Sequence, residues 1–80
     1  MELYQLRTFA AVAETLHFSR AAARLHLTQP ALSRQIRDLE SELRTALLLR
    51  HGTATTLTPA GAAFLPRARE ILAASDRAIA

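Results

Sequence analysis

Residues 18–39 contain two short helical patterns separated by a tight turn, and the second pattern has two contrasting faces. At about 100° per residue, one side of this second helix is an apolar stripe made of Leu32, Ile36, Leu39 and Leu43. The opposite side carries small and polar residues, which are Pro30, Ser33, Arg34, Arg37 and Ser41. A helix that follows a turn and presents arginine and serine outward is suited to the major groove of DNA.

The composition indicates one small globular domain. The chain has 80 residues, half of them hydrophobic, and a formal net charge of +3. A chain of this size buries about 60% of the surface that its unfolded form exposes, which is enough for a single core. All ten basic residues are arginine, whose planar guanidinium suits contact with phosphate or guanine. A GC-rich genome that favours arginine codons explains the same bias equally well.

The sequence carries no feature of a secreted or membrane protein. It contains no cysteine, which excludes a disulfide framework and a thiolate metal site. Its N-terminus lacks a basic segment followed by an apolar run, and its longest apolar run, Phe9–Ala13, is too short to span a bilayer. We therefore expect a cytoplasmic protein with no membrane partner.

Three helices are expected in the first half of the chain. Residues 3–16 combine an apolar stripe with an absence of glycine and proline, so they predict a first helix that serves as scaffold. Ser19 is expected to cap the second helix, and His26, a residue that tolerates positive φ, is expected to lie in the turn. Thr28 is expected to cap the third helix, residues 29–42, which has a proline in its first turn.

Charge is distributed unevenly along the third helix. Arg34 and Arg37 lie in its first half, whereas its second half carries Asp38, Glu40 and Glu42. Only the first half is therefore suited to approach phosphate groups. We expect the acidic half to point away from DNA or to pair within the helix, as Glu40 can with Arg44 at i, i+4.

Residues 46–57 depart from the helical pattern. Leu47–Arg50 is a short run containing three leucines, residues 51–54 form a turn, and Thr55–Leu57 is β-prone, which together predict a two-stranded hairpin, or wing. The consecutive leucines leave a second interpretation open, in which they extend a helix instead.

The last segment, residues 59–80, predicts a long helix with an apolar seam that begins after a Thr58–Pro59 cap. Its side chains recur at seven-residue spacing, which is typical of a helix that pairs with another helix. We predict that a partner helix packs against the stripe of Leu65, Ala68, Leu72, Ser75 and Ile79, which would then form the dimer interface that the resemblance described below implies. The alternative is that this stripe packs on the domain's own core, which is the better interpretation for Phe64. Pro66 projects to the polar side, so we expect it to bend the helix without ending it.

The sequence gives no support to catalysis or to a bound metal or cofactor. The three histidines are scattered at His17, His26 and His51, without the spacing of metal ligands. Two glycines are too few for a phosphate-binding loop, and Ser19 and Ser33 have no adjacent base. We therefore do not expect an enzyme.

Two segments of the chain resemble the N-terminal DNA-binding region of LysR-type transcriptional regulators. The first runs from Phe-Ser-Arg-Ala-Ala at Phe18 through Leu-Thr-Gln-Pro-Ala-Leu-Ser-Arg-Gln-Ile-Arg-Asp-Leu-Glu40, and the second is Leu57-Thr-Pro-Ala-Gly61. The resemblance covers essentially the whole chain. It implies a mostly α fold, in which a winged helix-turn-helix of three helices and a hairpin occupies residues 1–58. A linker and dimerisation helix then starts at residues 59–80, and the C-terminal effector-binding domain usual in the family is absent from this chain.

The resemblance also implies a sequence-specific regulator that binds an interrupted inverted repeat of double-stranded DNA as a homodimer, with a tetramer left open for a full-length protein. Helix 29–42 would enter the major groove, and the wing would follow the backbone or the minor groove. Base edges would be met by Gln29, Pro30 and Ala31, bases or phosphates by Ser33 and Arg34, and a phosphate by Arg37. Further backbone contacts would come from Ser19, Arg20, Arg50, His51 and Thr53.

Three positions depart from the family's pattern. Leu43–Arg44 stands where Leu-Gly is usual, Leu49 replaces a common glutamate, and residues 53–56 replace a wing that usually carries arginine. The first departure predicts a longer or strained turn, and the last predicts a weaker wing contact. The rival hypothesis is a protein-interaction module that no longer binds DNA, which would have no use for basic residues on the outward face of the third helix.

Overall fold

The computed structural model describes residues 1–79 and contains four helices and one two-stranded antiparallel sheet. The elements in chain order are α1 (Leu3–Thr15), α2 (Phe18–Arg24), α3 (Gln29–Leu43), β1 (Leu48–His51), β2 (Ala54–Leu57) and α4 (Pro59–Ile79). This order confirms the predicted winged helix-turn-helix followed by a long helix. Among the helices of residues 1–79, none combines the length and apolar character needed to cross a membrane.

The core lies where α1 crosses α2, α3 and α4. α1 contributes Leu6, Phe9 and Val12, all of them essentially inaccessible to solvent. The predicted stripe of α3 is buried at Leu32, Ile36 and Leu39. α4 joins this core through Phe64, whose ring centroid lies 5.7 Å from that of Phe9. α1 is therefore the scaffold against which the helix-turn-helix and the last helix are both fixed.

The helix ends follow the predicted residues with one exception. Thr28 caps α3 by accepting a hydrogen bond from the backbone N–H of Ala31, and His26 has the expected positive φ of 57°. The cap of α2, however, is His17 and not Ser19, because the His17 Nδ1 accepts the backbone N–H of Arg20. The prediction for Ser19 was wrong by two positions because α2 already begins at Phe18.

The C-terminal end of α3 bears out the expectation of a strained turn. Arg44, where the family usually has glycine, adopts a left-handed conformation with φ 57°. A residue with a Cβ atom adopts this conformation at a cost that glycine avoids. The predicted pair of Glu40 with Arg44 does not form. The Glu40 carboxylate instead accepts backbone N–H groups of Leu47 and Leu48, at 2.7 and 3.2 Å, and so fixes the start of β1.

The hairpin is confirmed, and the alternative of an extended helix through the leucines is wrong. β1 and β2 pair in antiparallel register from Leu48 opposite Leu57 to His51 opposite Ala54. The two residues between the strands begin with Gly52 at φ 62°. A two-residue turn with a glycine at its first central position matches the twist of the flanking strands.

A short, hydrogen-bonded segment around Thr58 connects the hairpin to α4. Thr58 donates a hydrogen bond from Oγ1 to the carbonyl of Ala46, and its N–H donates to the carbonyl of Leu47. The same Oγ1 accepts the N–H of Gly61 and so caps the helix. Gly61 lies against the Leu47 carbonyl so closely that a Cβ atom would overlap it. The Leu-Thr-Pro-Ala-Gly segment therefore holds the wing and the last helix in a fixed relative position.

The apolar seam of α4 is divided between the chain's own core and solvent. Ala68 is fully buried within the chain and has no surface left for a partner, so its assignment to a dimer interface was wrong. Leu65 and Leu72 are half-buried against the core, and Ser75 is half-buried as well. Ile79 is 79% exposed. The helix continues through Pro66, as expected.

Candidate nucleic-acid interface

The N-terminal half of α3 forms an exposed convex edge beside an open cleft. Gln29, Pro30, Arg34 and Arg37 are exposed, whereas Ala31 and Ser33 are half-buried. The cleft has a volume of about 670 Å³ and is lined by Tyr4, Pro30, Ala31, Arg34, Gln35, Arg37 and Asp38. The structure thus brings the six predicted residues of α3 together on one side of the molecule.

α3 is held to α1 by a buried polar contact in its middle. The hydroxyl of Thr8, which is almost fully buried, donates to Oε1 of Gln35 at 2.5 Å. Gln35 also lines the open cleft. This partly buried hydrogen bond restrains the rotation of α3 about its axis, and this rotation decides which side chains point outward.

The start of α2 supplies two more of the predicted residues. Ser19 and Arg20 are both exposed. The Ser19 hydroxyl lies 2.9 Å from Nδ1 of His17, so the cap and the serine form one local network. The backbone of this first turn is therefore fixed at the place where the resemblance implies contact with a phosphate backbone.

The wing brings Arg50 next to α3. The Arg50 guanidinium lies over the ring of Phe18, with its Cζ atom 4.2 Å from the ring centroid. Arg50 and Phe18 line a small cavity together with Ser33 and Arg37 of α3. His51 and Thr53 are exposed near the tip of the hairpin, where no arginine occurs.

Four acidic side chains form ion pairs with other cationic groups. The ion pairs are Arg7–Asp76 at 3.2 Å, Arg24–Glu14 at 2.6 Å, Arg67–Glu70 at 3.5 Å and the N-terminal ammonium–Glu42 at 2.6 Å. Within residues 1–79, none of these pairs includes Arg20, Arg34, Arg37 or Arg50. The ammonium contact raises the pKa of the N-terminal amine, because the hydrogen bond to Glu42 favours its charged form.

Three features of this surface were missed by the sequence interpretation. Tyr4 is 53% exposed and lines the open cleft, although nothing in the sequence tells which side of α1 lies beside α3. The stacking of Arg50 on Phe18 joins residues 32 positions apart and has no sequence signal. Asp38, expected to point away from DNA, lines the cleft with Arg34, so the acidic half of α3 begins inside the candidate interface.

The described part of the chain offers no alternative chemistry. Residues 1–79 contain no group of three or more histidine, cysteine, aspartate or glutamate side chains that could hold a metal ion. They also leave no buried side-chain nitrogen or oxygen without a hydrogen-bond partner. The exposed arginines and polar groups on α2, α3 and the wing are therefore the main functional candidate.

Comparison with known proteins gives a consistent result. Residues 3–62 match the family model described as bacterial regulatory helix-turn-helix protein, lysR family. The chain is 51% identical over 80 residues to the uncharacterized HTH-type transcriptional regulator YnfL of Escherichia coli K12, covering 100% of this chain and 27% of that protein. It is 50% identical over 78 residues to the E. coli Hca operon transcriptional activator HcaR, covering 98% and 26%. The chain thus spans about a quarter of the length of these relatives.

Solved structures agree in both fold and sequence. A crystal structure of a CbnR_DBD–DNA complex superposes with a TM-score of 0.94 at 46% identity, covering 98% of this chain and 90% of that one. A BenM_DBD/catB site 1 DNA complex gives a TM-score of 0.93 at 43% identity, covering 99% and 89%. Identities above 40% together with these scores support a common architecture throughout the described residues.

Proposed function

Because the chain belongs to the LysR family of bacterial regulatory helix-turn-helix proteins, we propose that it binds double-stranded DNA sequence-specifically and serves transcription regulation. The observation that carries this proposal is that Arg20, Arg34, Arg37 and Arg50, four of the seven arginines that form no ion pair within residues 1–79, lie on α2, α3 and β1. Arg50 shares a cavity with Arg37 of α3. An interaction module without DNA has no use for this unpaired charge.

In the proposed complex the N-terminal half of α3 enters the major groove. Gln29 can offer its amide to a base edge, and Pro30 and Ala31 can pack against thymine methyl groups. Ser33 and Arg34 reach bases or phosphates, and Arg37 reaches a phosphate. Asp38 lies in the same cleft as Arg34, so its carboxylate limits how far along α3 the phosphate backbone can approach.

The flanking elements contact the phosphate backbone. Ser19 and Arg20 approach one strand from the first turn of α2, and Arg50, His51 and Thr53 approach from the wing. Contacts of this kind fix the register of the protein on the duplex without reading its sequence. Since the wing tip is neutral, α3 carries most of the discrimination between sequences.

The proposed assembly is a homodimer that binds an interrupted inverted repeat in the cytoplasm, formed through the exposed part of the α4 seam. Leu65, Leu72, Ser75 and Ile79 keep some exposed surface, most of all Ile79. Two copies related by a twofold axis would place two α3 helices on successive turns of the groove. A tetramer remains open for a full-length protein.

The first experiment measures affinity for a duplex that the chain itself selects from random DNA, at salt concentrations from about 50 to 200 mM. With several phosphate contacts, the logarithm of the affinity should fall with the logarithm of salt at a slope of about −0.9 per contact. A flat salt dependence would contradict the proposal.

Two substitutions separate sequence reading from backbone contact. Gln29→Ala should lose about 1–3 kcal/mol on the selected duplex and much less on random DNA. Arg37→Ala should weaken binding on both duplexes alike and reduce the salt slope by about one. Arg69→Ala removes the same charge from an exposed position on α4 and is the matched control, expected to change little. Equal losses on both duplexes for Gln29→Ala would exclude its reading role.

A further inference from the structure

The contact between Arg50 and Phe18 connects the wing to the helix-turn-helix. Phe18 is the first residue of α2 and only 6% exposed, so its ring is held by the core. Arg50 lies in β1 and is itself exposed. A guanidinium stacked on an aromatic ring loses rotational freedom while its N–H groups stay available at its edge. The ring thus presents Arg50 in one direction.

The cavity beside Arg50 is shared with a second arginine. Arg50 and Phe18 line a cavity of about 150 Å³ together with Ser33 and Arg37, which come from the outward face of α3. Neither arginine forms an ion pair within residues 1–79. Two cations that share one cavity repel each other, and an anion bound between them relieves this repulsion. With the serine hydroxyl as a third donor, the cavity offers the groups that a phosphate accepts.

The only carboxylate that lines this cavity is already engaged. Oε2 of Glu40 accepts the backbone N–H groups of Leu47 and Leu48, at 2.7 and 3.2 Å. Glu40 forms no ion pair with either arginine. Its role is to anchor β1, two residues before Arg50. The acid therefore fixes the position of the wing arginine and leaves both guanidinium groups available.

We propose that Arg37, Arg50 and Ser33 bind one and the same DNA phosphate, and that Phe18 is the positioning residue for Arg50. This inference rests on the proposed DNA binding and specifies it. The recognition helix and the wing then meet the duplex at a shared point, and the two arginines act as a unit. This chain has no arginine at the wing tip, but it has one within β1, opposite Thr55, that lies over an aromatic ring.

The test replaces single phosphates of the selected duplex by neutral methylphosphonates, one position at a time. We expect one position in each half-site at which the replacement weakens binding of the 80-residue chain about tenfold. At that same position Arg37→Ala and Arg50→Ala should each be less sensitive to the replacement than the unsubstituted chain, and the double variant should be insensitive. If the two variants lose sensitivity at different positions, the shared phosphate is excluded. Salt-dependent binding by the unsubstituted chain would still support DNA binding in that case.

The role of Phe18 is tested by a mutant cycle. Phe18→Leu keeps an apolar side chain in the core but removes the ring, and it should weaken DNA binding about three- to tenfold. Phe18→Tyr keeps the ring and should stay within about twofold. In the Arg50→Ala background, Phe18→Leu should have no further effect on affinity. An equal loss in both backgrounds would show that Phe18 acts only through the fold.

Thermal unfolding of each variant provides a readout that does not depend on DNA. Should Phe18→Leu prove too unstable at the assay temperature, Arg50→Lys replaces it, because it keeps the charge and loses the planar stacking group. Arg50→Lys is then expected to be less sensitive at the shared phosphate than the unsubstituted chain. Full sensitivity in Arg50→Lys would overturn the positioning role of the ring.

Discussion

Gly61 shows how a single residue sets the geometry between two elements. The position lies in the first turn of α4, directly against the carbonyl oxygen of Leu47. The obstacle is backbone, which cannot rotate away as a flexible side chain would. Glycine is required here for close approach and not for an unusual φ, in contrast to Gly52 at the hairpin turn.

Gly61→Ala is therefore expected to destabilise the domain by about 2–3 kcal/mol, because the added methyl group forces the wing away from α4. For a domain of this size, the melting temperature should fall by about 10–20 °C. Thermal unfolding followed by circular dichroism measures the change. Ala62→Gly, at the exposed neighbouring position, is the control and should cost only about 1 kcal/mol. A smaller effect for Gly61→Ala than for the control would contradict the close packing.

Residue-level predictions from the sequence succeeded where the cause is local. Thr28 as a cap and His26 at positive φ depend only on neighbouring residues, and both were predicted. His17 was missed as a cap because histidine is not a usual residue there, and Ser19 two positions later offered a more familiar one. Glu40 was misassigned because its partners, the N–H groups of β1, lie seven and eight residues away across a turn.

At the level of elements, the wing is the least conventional part of the domain. Its strands and register are regular, yet its tip carries Gly52 and Thr53 and no arginine. The hairpin is held firmly at its base by Glu40 and Thr58. The wing is therefore well positioned for a contact that its tip residues leave weak.

Thr53→Arg should strengthen DNA binding about five- to tenfold at low salt and steepen the salt slope by about one, because the new cation meets the backbone or the narrow groove. Fluorescence anisotropy with a labelled duplex measures both quantities. Thr45→Arg makes the same substitution at an exposed position between α3 and β1, and it serves as the control. If both variants gain equally, net charge and not wing geometry determines the effect.

The elements themselves were largely predictable because each has a distinct period. The 3.6-residue pattern of α3 places Leu32, Ile36 and Leu39 in the core as predicted, and the change of pattern at residue 46 separates the hairpin from the helices. For the predicted first helix, the pattern succeeds for Leu6 and Phe9 but fails for Leu16, which is 43% exposed, and for Thr8, which is buried although the pattern places it on the outer side.

The packing of α4 was not predictable in the same way. Its seven-residue repeat is compatible with a partner helix and with α1. The core position of Phe64 was predicted and is confirmed, whereas the burial of Ala68 within the chain is visible only in the structure.

At the scale of the whole molecule, part of the apolar seam of α4 is buried in the chain's own core. Dimerisation is therefore best tested at the exposed part of the seam. A glutamate at Leu72 would disturb the chain's own core, since this leucine packs against it. Ile79→Glu should shift the chain toward monomer in sedimentation experiments without lowering the melting temperature, because Ile79 is 79% exposed. Ala74→Glu, exposed on the other side of α4, is the control and should leave the assembly unchanged. If Ile79→Glu leaves the sedimentation profile unchanged, the exposed part of the α4 seam is not the dimer interface.

The arginines of α2, α3 and the wing that form no ion pair have a kinetic consequence. With a net charge of only +3, the chain is not strongly attracted to a polyanion by its total charge. Within residues 1–79, ion pairs neutralise Arg7, Arg24 and Arg67 but not Arg20, Arg34, Arg37 or Arg50. In the field of a duplex this uneven neutralisation favours encounters in which these four arginines face the DNA, so a larger fraction of encounters starts in the productive orientation.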